Sequence, residues 1–415
     1  MRRFKEPLKT LLIVLLTASA VFLAWKGSLF SAFFPERASA AAPTPEAPEQ
    51  SYAVAALPVA AAVRGPSGLC FGVKYDEEAM DALFDGFSAI LSETLGSAEE
   101  PMAIGRYTWQ DRLLEESLYL DYGFDLPIAA LAAWMGVEAP WAGEMSARSF
   151  LLDQDEGGSV RLSCRCGDGS SFQCATAASW ATLRGMLEEY RPNGAAFAFE
   201  LPALGDCDPF LLVLEQLPAL SNVHITAERS AAAAACAELF GFNLGSQSRY
   251  YEADGTLVYP GENGVLRLWA DGSVGYTASE EGGRSVPAAA DRIEEARRLA
   301  ETVHAAFAGE EKLCLARVEA DEAGGLSLSF VYVLDGVRVE LAAGPAARAV
   351  WRAGKLSELT LQPRSCRKGE AAGVLLPEMQ AAAAAGSIRR GAAPELVLPE
   401  AGEERIEPTW IVTMG

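Results

Sequence analysis

Histidine and familiar catalytic motifs are scarce in this chain. It has two histidines, His224 and His304, in 415 residues. It has no G-x-S-x-G elbow, no H-E-x-x-H pair and no P-loop, which excludes the commonest hydrolase, zinc-protease and nucleotide-binding designs. His304 lies beside the apolar stripe of a predicted helix, which favours a packing or surface role, and His224 has no acidic or nucleophilic partner close in sequence. We therefore expect no catalytic residue and no enzymatic activity.

Positive charge is also in short supply. Lysine and arginine number 34 against 56 acidic residues, for a net charge of −22. Phosphate backbones require clustered basic side chains, so nucleic acid is excluded as a partner. An acidic coat of this kind keeps an exported protein dispersed.

Metal-binding cysteine pairs are missing although eight cysteines are present. No C-x-x-C occurs, and the densest group, Cys164, Cys166 and Cys174, has no histidine nearby. Disulfides or buried thiols are therefore favoured over a metal, and we expect no metal and no cofactor.

A basic, strongly apolar leader opens the chain. Arg2, Arg3, Lys5 and Lys9 precede the fifteen-residue run LLIVLLTASAVFLAW, which is short of the ~20 residues of a membrane span. Counting to Phe34 gives sufficient length, so we predict a cytoplasmic tail at 1–10 and a transmembrane anchor at 11–34. Cleavage after Ala40, at an A-x-A site, is the alternative. Either reading places the remaining chain outside the cell membrane.

The rest of the chain divides into a linker and two predicted domains. Residues 35–67 are rich in alanine and proline, which is typical of a semi-extended linker. Residues 68–240 form the first α+β domain, with helices expected over 76–96, 127–136, 178–190 and 227–240. Strands are expected over 148–154, 159–166 and 170–176, and a buried strand over 195–201.

Residues 241–415 show a weak internal repeat. Each half, about 242–310 and 311–415, carries alternating apolar strands with Asn-Gly or Asp-Gly turns, and then a helix, at 288–308 and 377–386. These dipeptides supply the positive φ of two-residue hairpin turns. The predicted fold class is α+β, with antiparallel sheets each covered by a helix.

Aromatic residues cluster on the first hairpins. Sheet packing explains them, with Tyr251 and Tyr259 near opposing strand positions. Tyrosine and tryptophan are also enriched at protein interfaces. The candidate protein-binding residues are Tyr251, Tyr259, Trp269 and Tyr276.

The anchor and the C-terminal half together resemble the YycH/YycI (WalH/WalI) family. The resemblance is carried by the basic, single-span N-terminus, the run YYEADGTLVYPGENGVLRLWADGSVGYTA, the paired hairpin-and-helix layout and the ending LPEMQAAAAAG…PELVLPE…IEPTWIV. Residues 75–200 are similar to the N-terminal portion of the YycH branch. The eight cysteines and the alanine-rich composition depart from the family pattern.

The resemblance implies a non-enzymatic regulator of a two-component system that controls cell-wall metabolism. Such proteins contact the sensor histidine kinase WalK through transmembrane helices and outer domains, together with a paralogous regulator. On that view the partner-binding face lies in the anchor, where small residues permit close helix packing; plain lipid exposure is the alternative. The implicated residues are Leu11, Leu12, Leu15, Leu16, Ala18, Ser19, Ala20, Val21 and Leu23.

Two further functions remain open from the sequence. An exported cell-wall or carbohydrate-binding module would use the Tyr/Trp hairpins. An exported enzyme would require convergent carboxylates in a deep pocket. The identity of the kinase, the sign of regulation and the oligomeric state are left open.

Overall fold

The computed structural model describes residues 57–279, 286–321, 324–400 and 404–414. The predicted anchor and residues 35–56 of the predicted linker lie outside these residues, so those expectations stay predictions, as do the domain boundaries. The last part of the linker range is described, and Ala60–Arg64 within it forms a buried strand. Within the described ranges, no helix is both long and apolar enough to span a bilayer. Seven α-helices occur there: α1 Glu77–Ser97, α2 Arg106–Arg112, α3 Ile128–Trp134, α4 Trp180–Leu187, α5 Arg229–Phe240, α6 Ala289–His304 and α7 Glu378–Ile388.

A seven-stranded antiparallel sheet forms the N-terminal part, in the order β2-β1-β4-β5-β6-β7-β3. The predicted strands at 148–154, 159–166 and 170–176 are confirmed as β5, β6 and β7. The strands are β1 Ala60–Arg64, β2 Cys70–Lys74, β3 Met102–Ile104, β4 Ser117–Pro127, β5 Ser146–Gln154, β6 Ser159–Arg165 and β7 Ser171–Ser179.

Helix α1 covers one face of this sheet, as its sequence period predicts. Asp76 caps its N-terminus by accepting a hydrogen bond from the Ala79 backbone N–H at 2.9 Å, and Glu77 and Glu78 favour its first turn electrostatically. All seven apolar residues predicted for its stripe are buried: Met80, Leu83, Phe84, Phe87, Ile90, Leu91 and Leu95.

The opposite face is covered by α2 and by an irregular segment, 195–214. Trp109, Phe197, Phe210 and Leu212 form a second apolar cluster there. The buried strand expected over 195–201 is largely wrong: only β8, Ala196–Phe197, pairs with β9, Leu212–Val213, and a 3₁₀ turn, Ala198–Glu200, follows. Ala195, Phe197 and Ala198 are buried as predicted, whereas Ala196, Phe199 and Leu201 are half-buried.

The C-terminal part builds one eleven-stranded sheet, in which the two predicted repeats are joined by pairing of β14 with β19. Nine of its ten strand pairs are antiparallel, but β17 and β21 pair in parallel, which departs from the expected all-antiparallel sheets. The strands are β11 Tyr250–Tyr251, β12 Leu257–Pro260, β13 Gly264–Leu268, β14 Val274–Ala278, β15 Lys312–Ala320, β16 Leu326–Leu334, β17 Val337–Glu340, β18 Ala347–Arg352, β19 Lys355–Leu361, β21 Ala392–Pro399 and β23 Thr409–Met414.

A small third sheet links the two parts. It has the order β20-β10-β22, with β10 Ser221–Ala227, β20 Arg364–Ala371 and β22 Arg405–Ile406. The described chain is therefore mixed α+β, as predicted.

Helix cover in the C-terminal part differs from the expected arrangement. Helix α5, from the end of the first predicted domain, packs on β13 and β14, whereas α6 packs on β15, β16, β18 and β19 of the second repeat. Helix α7 lies on β21. Helices α5 and α6 thus cover strands outside their own predicted units, whereas α7 covers a strand of its own repeat.

Candidate functional site

A cleft forms where the edge strand β15 of the larger sheet lies beside β4 of the smaller one. The register of β4 against β5 shifts between Asp121 and Leu126, so the residues between them leave the ladder and face the cleft. The first described segment, Leu57 to Val59, forms one wall, and the Val59 N–H donates to the Asp121 carbonyl at 2.8 Å.

The Asp335-Gly336 turn between β16 and β17 lines the cleft and packs closely against Tyr75 and Asp76. Gly336 has φ 73°, and a Cβ there would lie 3.1 Å from the Tyr75 Cα and from the Asp76 nitrogen. Only glycine allows this conformation and this approach together. The turn therefore sets how closely the two sheets meet.

The cleft encloses a cavity of about 270 Å³, with a smaller adjoining one of about 70 Å³. Most of the side chains that line both cavities are apolar or aromatic. They include Tyr75, Tyr122, Phe124, Cys314, Leu315 and Val333.

A buried ion pair anchors one side of the cleft. The Lys74 ammonium lies 2.5 Å from a Glu378 carboxylate oxygen and 3.0 Å from the Leu212 carbonyl. The other Glu378 oxygen accepts from the Leu214 N–H at 2.8 Å. Burial alone lowers the pKa of Lys74, but the Glu378 carboxylate outweighs it and raises that pKa above the usual lysine value. Strand β2 is thereby fastened to the first residue of α7.

Arginines stand on both walls of the cleft. Arg148 and Arg165 belong to the smaller sheet and Arg338 to the larger one. Arg148 lies 3.5 Å from Asp121, and Arg338 lies 2.9 Å from Glu395. Arg165 pairs with no carboxylate among the described residues; its guanidinium lies 4.5 Å from the centre of the Phe210 ring, a cation–π arrangement.

His304 is a packing residue, one of the two roles predicted for it. Its Nε2 lies 2.8 Å from Glu311, and its ring packs against Phe307 and Tyr332. Burial raises the pKa of Glu311, but hydrogen bonds from His304 and from the Gly309 and Cys366 backbone outweigh burial and lower it. This network fastens the end of α6 to β20 and lies outside the cavity.

All eight cysteines are free thiols, which decides between the predicted alternatives of disulfides and buried thiols. Cys166 and Cys314 are half-buried, and the other six are buried. Burial raises the pKa of Cys236 and Cys366 to about 12, so these thiols stay protonated and unreactive. In the part of the chain that the structure describes, no three acidic, cysteine or histidine side chains gather as a metal-binding group.

The predicted partner-binding residues fall in two places. The anchor residues Leu11 to Leu23 lie outside the described residues. Of the aromatic candidates, Tyr259 and Tyr276 are buried, Trp269 is half-buried and Tyr251 is 73 % exposed. Tyr251 and Tyr259 lie on the paired strands β11 and β12, near opposing positions as expected, but not directly opposite each other: Tyr251 opposes Leu257, and Tyr259 opposes Leu266 on β13. A protein-binding role for these residues stays a prediction.

Sequence reasoning missed the residues that build the cleft. Lys74 and Glu378 are 304 positions apart, and neither stands in a motif. An isolated lysine within an otherwise apolar strand was the one available signal for Lys74.

Comparison with known proteins bears on the fold. No protein-family model and no curated protein matches the chain. Among solved structures, the chain is similar to YycH from Bacillus subtilis, with a TM-score of 0.58 over 88% of this chain and 95% of that one.

The chain has the YycH fold. The sequences are 12% identical over this match, so the likeness concerns the fold alone, and it supports the YycH-like resemblance read from the sequence. The match covers 88% of this chain, so it extends into both large sheets.

Proposed function

We propose that this protein is a non-enzymatic, extracytoplasmic regulator of a sensor histidine kinase, held in the cell membrane by its N-terminal anchor. It acts by contact, through the transmembrane helix and the outer α+β part. The observation that carries the proposal is the YycH fold, which extends over 88% of the chain. Turnover of a substrate has no part in this activity.

The anchor supports the proposal independently of the fold. The basic start and the apolar run over 11–34 favour a single span with the N-terminus in the cytoplasm. Ala18, Ser19 and Ala20 are small enough to let a kinase helix approach closely. The acidic body, with a net charge of −22 over the whole chain, suits solubility on the outer side.

Co-purification tests the proposal directly. The full-length protein, tagged at its C-terminus, is co-expressed with the WalK-type kinase of the same organism and extracted in mild detergent. We expect the kinase to be retained well above the level seen with an unrelated single-span protein of similar size. A second variant, in which residues 11–34 are replaced by an unrelated apolar span, should retain several-fold less kinase.

The outcomes separate the proposal from its alternatives. Retention of kinase at the level of the unrelated protein would show the proposal to be wrong. Unchanged retention after the anchor exchange would reject helix packing as the mechanism and leave the outer part as the contact surface. Sedimentation of the protein with purified cell-wall material, without kinase binding, would favour the cell-wall-binding alternative.

A further inference from the structure

A buried hydrogen-bond donor without a partner lines the cleft between the sheets. Ten buried side-chain nitrogen and oxygen atoms form no hydrogen bond among the described residues, and three of them belong to residues that line the cavity: the Tyr122 hydroxyl and the Nε atoms of Arg148 and Arg338. The two Nε atoms lie 3.5 Å from Asp121 and 2.9 Å from Glu395, so each has a carboxylate beside it. Tyr122 is 3% exposed, and an unpaired buried donor is costly, so its hydroxyl requires an explanation.

A hydrogen-bond acceptor inside the cavity would satisfy the Tyr122 hydroxyl. Arg148 and Arg338 are already held beside carboxylates, Asp121 and Glu395, whereas Arg165 has no carboxylate partner among the described residues. Carboxylate and phosphate groups offer several acceptor oxygens, and they match the geometry of guanidinium.

The charges that line the cavity balance once Lys74 is set against Glu378, but one of the cations has no carboxylate partner. Its lining holds four cations, Lys74, Arg148, Arg165 and Arg338, and three carboxylates, Asp121, Asp208 and Glu395. Lys74 is already neutralised by Glu378, and Asp208 accepts a hydrogen bond from the Phe210 N–H at 3.1 Å. Arg165, which stacks on Phe210, is the cation without a partner among these residues.

The remaining walls are apolar. Leu212, Leu315, Val331 and Val333 line the cavity, whose volume of about 270 Å³ is near the lower end of the ~300–1,000 Å³ of small-molecule sites. An apolar chain buried there gains roughly 25 cal/mol for each Å² removed from water.

We propose that the cleft between the two sheets binds a small amphipathic anion, with its carboxylate or phosphate at Arg165 and its apolar chain along β15 and β16. The ligand contacts both sheets at once, because Arg165 belongs to the smaller sheet and Leu315 and Val333 to the larger one. This site requires no kinase and stands independently of the regulatory proposal.

Photo-crosslinking of the full-length protein in membranes tests the site. The probe is a ten-carbon fatty acid with a terminal diazirine, and the labelled peptides are mapped by mass spectrometry. We expect labelling within 121–126, 312–316 or 331–333. Unlabelled decanoate and decyl phosphate should compete, and their relative potency distinguishes a carboxylate from a phosphate ligand. Decanol, which lacks the anion, should compete at least tenfold more weakly.

Two variants and a control make the test specific. Arg165→Gln should weaken probe binding roughly tenfold to a hundredfold, since a hydrogen bond to a charged group contributes about 1.5–3 kcal/mol and 1.4 kcal/mol is tenfold in affinity. Ala316→Phe fills the cavity while keeping every charge, and should abolish labelling. Arg317→Gln, at a side chain that is 68% exposed and paired with Glu319, should label like the unmodified protein.

Three results would overturn the proposal: labelling that maps outside the cleft, equal competition by decanol, or the same labelling in Arg165→Gln and Ala316→Phe as in the unmodified protein. Circular dichroism of both variants shows that they are folded. Ala316→Phe keeps the test decisive where Arg165→Gln fails to fold, because it leaves the polar contacts unchanged.

Discussion

At the scale of single residues, one glycine combines a turn conformation with a tertiary contact. The Asp335-Gly336 pair was predicted as a hairpin turn, and the structure has Asp335 at φ 52° and Gly336 at φ 73°. The dipeptide alone predicts that backbone. Gly336 also approaches Tyr75 and Asp76 closely. These residues lie more than 250 positions earlier in the chain, so no local sequence pattern predicts the contact.

Gly336→Ala is expected to destabilise the protein more than Gly255→Ala does. Both glycines occupy left-handed positions in Asp-Gly turns, at φ 73° and φ 85°, but a Cβ at Gly255 meets nothing within 4 Å. Strain alone costs about 1–2 kcal/mol, and the crowding against Tyr75 adds about 1–3 kcal/mol at Gly336. Urea unfolding of both variants measures the difference. Equal losses would show that the turn does not press on Tyr75.

The Asn263-Gly264 pair shows that a turn dipeptide does not by itself fix where a hairpin turn forms. Asn263-Gly264 was expected to form a two-residue turn, but Gly264 is the first residue of β13 and the connection from β12 ends at Asn263. The Asn263 carbonyl instead accepts a hydrogen bond from the Tyr276 hydroxyl at 2.9 Å. Tyr276 also stacks on Phe240, the last residue of α5, with ring centres 3.9 Å apart, so the contacts around this turn include residues outside the hairpin.

At the scale of elements, the amphipathic helices were predictable and their partners were not. Helices α1, α3 and α5 lie within about two residues of their predicted ranges, because helical period and capping are properties of neighbouring residues. The strands that α6 covers belong to the other repeat. The apolar stripe of a helix predicts that one face is buried, but it does not predict which strands cover that face.

We expect the Lys74–Glu378 ion pair, which joins β2 to α7, to contribute strongly to the free energy of unfolding. The two side chains are 9% and 0% exposed, so Lys74→Met or Glu378→Gln alone leaves a buried charge or donor without its partner, at about 3–5 kcal/mol. The double variant Lys74→Met with Glu378→Gln should lose less than the sum of the two single losses, since neither charge remains.

Chemical denaturation of the single and double variants measures this coupling. Arg317→Met serves as the control, because the exposed Arg317–Glu319 pair should contribute no more than about 1 kcal/mol. Single variants at Lys74 and Glu378 that lose no more than the control would contradict a fastening role.

At the scale of the whole molecule, the eight free cysteines mean that the fold is stabilised without disulfide bonds. Eight cysteines permitted disulfides by number, yet all eight are free thiols. Stability then comes from apolar packing and from tertiary ion pairs such as Lys312 with Glu77, at 2.8 Å between β15 and α1. The extended YycH fold provides enough buried surface for this.

Thiol titration without reductant checks this description. In the native protein we expect the six buried cysteines to stay unreactive toward a water-soluble aromatic disulfide reagent, and Cys166 and Cys314 to react slowly if at all. In denaturant all eight should react. Leu69→Cys, at a position 62% exposed, is the positive control. Fewer than eight reactive thiols in denaturant would reveal a disulfide and contradict the structure.

The sequence by itself determined the apolar leader, the acidic balance, the α+β class and the period of the main helices, because each depends on composition or on residues within a few positions of one another. Only the tertiary structure decided that the two repeats share one sheet, that Lys74 meets Glu378, and that Tyr122, Arg165 and Arg338 border one cavity. These contacts join residues far apart in the chain, so they exist only after every element between them has packed, and no local pattern specifies them.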